Sequence, residues 1–163
     1  MPLWVLAMSK QPIPTWFFVL VVVRRGDRFL LVQETKHGQT WYLPAGRVES
    51  NEDFAAAARR ETLEESGIEI ELEGIVRIER SPRPGDHSRV RVLFVASPAG
   101  PDEPKQLADE HSLQAAWFSL DEVRKLPLRG AEVVELLEFV AAGASIHPLG
   151  LITVEDAPFV TQR

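Results

Sequence analysis

GRVESNEDFAAAARRETLEESGI, residues 46–68, is the stretch on which the reading of this chain turns. Its glycines and charges fall at Gly46, Glu52, Arg60, Glu61, Glu64, Glu65 and Gly67, with Ile68 behind them. The spacing is G-x5-E-x7-R-E-x-x-E-E-x-G-I. A helix starting near Asp53 sets Phe54, Ala57, Ala58, Glu61, Glu64, Glu65 and Ile68 on one stripe. An ordinary amphipathic helix keeps its acids opposite the apolar stripe. Here three carboxylates continue it, so they are aimed at something inside a fold. Like charges three or four residues apart repel by about 0.2–0.5 kcal/mol per pair even in water, and a divalent cation would reverse that sign.

Hard cations such as Mg²⁺ or Mn²⁺ take oxygen ligands, and carboxylates suit them. Zinc suits this chain poorly. It has no cysteine, and its four histidines, His37, His87, His111 and His147, are scattered singly and read as solvated or structural.

The stretch resembles the Nudix box, G-x5-E-x7-R-E-U-x-E-E-x-G-U, where U is a bulky aliphatic. Every fixed position is met, and the one departure is Thr62 at the first U, a residue close to valine in volume. The resemblance implies an α/β Nudix fold, a mixed β-sheet sandwiched between α-helices. It also implies hydrolysis of a diphosphate linked to another moiety X. Carried over residue by residue, Glu61, Glu64 and Glu65 coordinate Mg²⁺ or Mn²⁺, with one of them serving as base, and the Gly46 carbonyl joins them. Arg60 and Glu52 pair to fasten loop to helix and orient the ligands. Glu110, in the loop before Trp117-Phe118, is a further metal-binding or basic candidate, with Asp109 and Glu103 as rivals.

The remaining composition bounds the answer. At 163 residues, with 45% hydrophobic and 26% charged residues, one soluble domain is expected, spanning 1–163 with its core at about 16–142. A net charge of −6 offers no basic footprint for duplex nucleic acid. The longest apolar run, Trp16 to Val23, is too short to span a bilayer. The N-terminus lacks a basic n-region and a convincing cleavage site, which favours a cytoplasmic enzyme.

Along the chain, Trp16 to Val23 reads as a strand buried on both faces, and Arg24 to Arg28 as a hairpin turn into Phe29 to Gln33. Trp41 to Pro44 is a short strand. Ser50 or Asn51 is expected to cap the box helix, with Asp53 completing a capping box, and Gly67 to end it. Strands are predicted over 68–79, 89–96 and 115–118, with a loop over 81–88. A capping box at Ser119 opens a short helix. Residues 131–142 form an amphipathic helix with Val134, Leu137 and Phe139 inward. Residues 1–15 read as irregular, although Trp4-Val5-Leu6 could dock, and the last twenty residues are left unplaced.

The flanking strings VQETKHGQTWYLPAGRVE (32–49) and ADEHSLQAAWF (108–118), followed by Leu126 to Arg129, resemble a MutT-like branch that converts oxidised guanine nucleotides, notably 8-oxo-dGDP, to monophosphates. The implied substrate is a small nucleotide, an oxidised nucleoside di- or triphosphate. Pro82 and Pro84 bracket the position of a proline that marks ADP-ribose hydrolases, which keeps ADP-ribose or a nucleotide sugar as the alternative. A binding module without catalysis is the rival from another class. An isoprenoid diphosphate isomerase of the same fold lacks its cysteine here. Base recognition needs an aromatic platform and a few polar groups, for which Phe17, Phe18, Trp41, Arg47 and Arg129 are candidates, although a core role competes for each aromatic. Relatives of this kind often form homodimers.

Overall fold

The computed structural model describes residues 11–159. Seven strands form a mixed sheet: β1 (Thr15–Arg25), β2 (Arg28–Gln33), β3 (Trp41–Tyr42), β4 (Ala45–Arg47), β5 (Ile70–Arg83), β6 (His87–Pro98) and β7 (Gln114–Ser119). Three helices accompany them: α1 (Phe54–Ser66), α2 (Leu120–Val123) and α3 (Glu132–Ala141).

Strand β1 organises the sheet. One edge runs parallel to β6 from Thr15↔Ser88 to Val23↔Ala96, and β6 in turn pairs antiparallel with β5. The other edge divides. Its beginning pairs with β4, Val19 facing Gly46, whereas its end pairs with β2 at Arg24↔Phe29. Strand β2 carries β3 and β7 onward. A fork therefore opens beside β1, and the glycine of the decisive stretch lies at it.

Side chains alternate across a strand, so each face collects its own core. Val19, Val21, Val23, Val92 and Phe94 pack under α1 with Ala57, Ala58 and Ile68. Leu20, Val22, Leu93 and Val95 pack under α2 and α3 with Val123, Val133, Leu137 and Val140. The expected sheet between helical layers is what forms.

Several local expectations shift. Strand β1 is buried only over Val19–Val23, and Trp16 and Phe17 before that stretch are 45% and 42% exposed. The loop predicted over 81–88 is a tight hairpin: β5 reaches Arg83, and β6 starts at His87. Pro82 is tolerated because β5 is the sheet's outer strand. Helix α3 is turned from its predicted phase. Val133, Leu137 and Val140 are buried at spacings of four and three residues, while Phe139 is 54% exposed. Of the unplaced C-terminal residues, His147 exchanges two backbone hydrogen bonds with Ile75, each 2.8 Å, and Leu149 and Ile152 pack on the α1-side core. Gly74 marks that crossing, since a Cβ there would strike Ile146 and the His147 carbonyl. Trp4-Val5-Leu6 lies outside the described residues. Among the described residues no helix is long and apolar enough to cross a membrane.

The revised phase of α3 sets a test by urea unfolding. Leu137→Ala should cost about 2–5 kcal/mol, and Phe139→Ala no more than about 0.5 kcal/mol. Equal losses would return Phe139 to the core.

Candidate active site

The acidic helix is fixed at both ends. Asp53 itself is the N-cap, its carboxylate accepting the Ala56 amide at 2.7 Å. The expected cap from Ser50 or Asn51 does not form, because the chain turns extended only at Asp53 (φ −87°, ψ 173°). Gly67 ends the helix as predicted, at φ 74°, where its N–H reaches the Leu63 carbonyl at 2.8 Å. Thr62 is fully buried, with its hydroxyl donating to the Ala58 carbonyl at 2.8 Å, so its polar atom is satisfied inside the core.

Arg60 gathers the acids. Its Nε and Nη2 donate to the two oxygens of Glu52 at 3.0 and 2.5 Å. Nη1 donates to Glu61 at 2.9 Å and Glu64 at 3.1 Å, and Nη2 also reaches the Arg47 carbonyl at 3.0 Å. Glu52 additionally accepts the Glu49 amide at 2.9 Å. The Arg60 bond is the main cause holding the Glu52 carboxyl below its ordinary range. The expected pairing of Arg60 with Glu52 is thus present, and it extends to two of the acids that the resemblance assigns to metal.

Strand β4 meets the helix through two close approaches. The Glu61 carboxylate lies against Gly46 so tightly that any Cβ at position 46 would overlap it. Glu65 accepts the Ala45 amide at 3.0 Å. Burial raises the Glu61 carboxyl, against the pull of Arg60. Burial also pushes Glu65 up to about 8, with Glu61 and Glu34 adding negative charge beside it. Carboxylates so desolvated and crowded are held at a cost that a cation would remove. All-oxygen donors, a glycine backbone pressed against one carboxylate and the absence of any cysteine fit a hard divalent cation. Among the described residues no three acidic or imidazole groups converge as a ready-made cage.

The remaining predicted residues are distributed unevenly. Glu110 has a side chain 87% exposed, with His111 Nε2 3.5 Å from its carboxylate. His111, not Glu110, faces Glu64, at 3.8 Å. Asp109 caps its own loop, accepting from Lys105 and from the amides of His111 and Ser112, and Glu103 is exposed. Trp41 is a core residue, edge-on to Phe118 at 4.9 Å. Phe17 sits edge-on to Phe54, in a separate cleft floored by Ile75 and Phe94 and closed by Leu149 and Ile152. The strand pleat sends Phe17 to that face and Phe18 to the other. Arg47 stacks on Trp16 at 4.3 Å.

Arg129 does reach a cleft at Gly46, lying 4.8 Å from the Tyr42 ring centre and donating to Glu34 at 2.8 Å. It is held there by the chain of Pro127 to Arg129, which bonds to both backbone groups of Trp41. The cleft, about 250 Å³, is lined also by Phe18, Tyr42, Arg89 and Arg91. Glu34, Arg89 and Arg91 were not singled out from the sequence. For the two arginines a signal existed, an Arg-x-Arg alternation on a strand otherwise apolar. Glu34 carried none.

The raised Glu65 carboxyl has a sign that can be checked in EDTA. The folded protein holds that proton up to about pH 8, the unfolded chain only to about its ordinary value, 4.5. Its contribution to stability is therefore greatest below 4.5 and falls as pH rises toward 8. Thermal or urea unfolding of Glu65→Gln should be less pH-dependent than wild type between pH 5 and 8.5, by on the order of a few kcal/mol. Equal pH slopes would remove the desolvated carboxylate from the account.

Comparison with known proteins agrees with this geometry. The NUDIX domain model matches residues 16–137. The human 8-oxo-dGDP phosphatase NUDT18 is 37% identical over 88% of this chain, and the NAD-capped RNA hydrolase NudC of Pectobacterium atrosepticum is 34% identical over 74%. The chain spans 44% and 45% of those proteins' lengths. A NUDIX hydrolase structure from Nitrosomonas europaea, 29% identical, superimposes with a TM-score of 0.73 over 89% of this chain and 99% of its own. With the box complete, Glu52, Glu61 and Glu64 gathered on Arg60 and the family model covering most of the fold, the chain belongs to the NUDIX family.

Proposed function

We propose that the protein is a Mg²⁺- or Mn²⁺-dependent pyrophosphohydrolase that converts nucleoside di- or triphosphates, oxidised guanine nucleotides foremost, to monophosphates. The observation that carries this reading is the placement of desolvated Glu61 and Glu65 against β4, whose Ala45 and Gly46 also line a cleft bearing three arginines. Glu61, Glu64, Glu65 and the Gly46 carbonyl would hold the cation. When bound, it would offset the charge that builds on the diphosphate oxygens and acidify the attacking water.

The rest falls to the chain. Arg60 orients Glu61 and Glu64 while anchoring the strand end at Arg47 and the loop at Glu52. A carboxylate of this set takes the proton of the attacking water, for which its position beside the cation would qualify it. Glu65 is fastened to the Ala45 amide, which fixes its place beside Gly46. The arginine side of the cleft accepts the anionic substrate. Similarity to an 8-oxo-dGDP phosphatase supports oxidised guanine as the base.

A second reading, cleavage of the diphosphate within a dinucleotide or ADP-ribose, draws on the likeness to NudC. The proline spacing lends it nothing, for Pro82 and Pro84 belong to the β5–β6 hairpin and do not line the cleft. Glu110 remains a proposal that requires the loop before β7 to bring it inward when substrate is present.

A panel of 8-oxo-dGDP, 8-oxo-GDP, dGTP, ADP-ribose and NAD, with product analysis, tests these readings. Guanine monophosphates are expected, with turnover abolished by EDTA and lowered about 10²-fold or more by Glu64→Gln. AMP with ribose 5-phosphate would transfer the assignment to the second reading. Thermal stabilisation by a nucleotide without any product would make this a binding module instead.

A further inference from the structure

The three arginines of the cleft are not equivalent. Arg91 donates to Glu79 through Nε at 2.7 Å, and Arg129 to Glu34 at 2.8 Å. Arg89 has no such carboxylate: among the described residues it forms no ion pair, and its Nε is shut off from solvent without a hydrogen-bond partner. Burial acts against its charge, and Arg83 and Arg91 add repulsion of like sign. Glu79, the carboxylate whose charge acts on Arg89, is already shared between Arg77 and Arg91. A guanidinium cannot shed its proton to escape. An unmatched guanidinium whose Nε is closed off from water and unbonded costs free energy that an incoming anion would offset.

The strand pleat explains where this group points. Arg89, Arg91, Leu93 and Val95 share one face of β6, and the latter two are sealed by the core under α2 and α3. Arg89 lies four residues nearer the strand's start, beyond that cover. Its neighbour across β1 is Trp16, and that of Arg91 is Phe18. Stacking alone does not account for Arg89, since its guanidinium is 5.9 Å from the Phe18 ring centre, near the outer limit of such contacts, and that contact leaves Nε unbonded.

The geometry points to Arg89 as the residue that binds a phosphate group of the ligand, across β4 from the carboxylates. Gly46 is common to both sides: it lines the cleft and lies against Glu61. A guanidinium fork matches two non-bridging phosphate oxygens. At about 250 Å³ the cleft is smaller than the usual site for a whole ligand, which suits one anionic end of it. Arg89 is thus a specificity-determining residue that favours substrates carrying a phosphate beyond the one held by the acids. That last step rests on the hydrolase reading; the anion subsite itself does not.

Calorimetry in EDTA separates the two. The probes are inorganic pyrophosphate, GDP and, as the uncharged comparison, guanosine. Wild type should bind pyrophosphate and GDP, and Arg89→Ala should weaken both by about 10- to 100-fold. Arg89→Lys should restore part of the loss, and guanosine binding should not change. Arg89→Gln replaces the alanine variant if circular dichroism shows that one unfolded. Unchanged pyrophosphate affinity in a folded Arg89 variant overturns the proposal. So does a loss confined to GDP and guanosine, which would make Arg89 a reader of the base, or wild-type protein that binds neither charged probe at millimolar concentration. Arg89-dependent binding in a protein that hydrolyses nothing would leave the subsite standing and remove the hydrolase reading.

Discussion

Groups from three separate pieces of chain meet on the guanidinium of Arg60: the Arg47 carbonyl at the end of β4, Glu52 in the loop, and Glu61 and Glu64 on the helix. The arrangement answers an electrostatic problem. Acids on the inward stripe of a helix repel one another and lose hydration as they are enclosed. One planar cation with five donors can serve several of them at once. It also fastens the glycine strand to the helix, so Gly46 and the carboxylates are presented together. Removing Arg60 would take away the contact that loop, strand and helix share, leaving the Glu65–Ala45 bond to join helix and strand.

That clamp works only because of the fork in the sheet. Strand β1 parts from β2 to take β4 at its beginning, and β4 is left with α1 on one side and the arginine cleft on the other. Glycine at position 46 allows the helix side to close: the Glu61 carboxylate occupies the space a side chain would need. Across that single strand, the helix side carries Glu61, Glu64 and Glu65 with Arg60 among them, and the cleft side carries three arginines, two of them paired with Glu79 and Glu34. A diphosphate, which needs a cation at the bond to be broken and positive charge along its length, is complementary to that division. The protein's net charge of −6 therefore says little about the sign of the field at its cleft.

The decisive stretch was legible because its meaning is local. Helix stripe, terminal glycine and acid spacing all lie within 23 residues, and the fold followed from them by resemblance. What failed was either fine phase or long range. The inward face of α3 was misjudged because Phe139 is apolar yet lies off the 133, 137, 140 stripe that meets the sheet. Phe17 and Phe18 are adjacent and chemically alike, and only the pleat of β1 separates the cleft residue from its neighbour. Glu34 acquires its place through a partner 95 residues away, and Arg89 through strand pairing, with its Nε unbonded among the described residues. Glu110, named from its position in the loop, is directed to solvent in the described conformation. Single sequences carry periodicity well and cross-chain charge pairing hardly at all.

The account stands or falls on a cation being held where α1 meets β4. Titration of the protein with Mn²⁺, with the free ion followed by electron paramagnetic resonance, addresses this without any substrate. Wild type should bind Mn²⁺, and Glu61→Gln and Glu65→Gln should each weaken binding tenfold or more, since each removes a charged oxygen donor. Undiminished Mn²⁺ affinity in both folded variants would contradict the account.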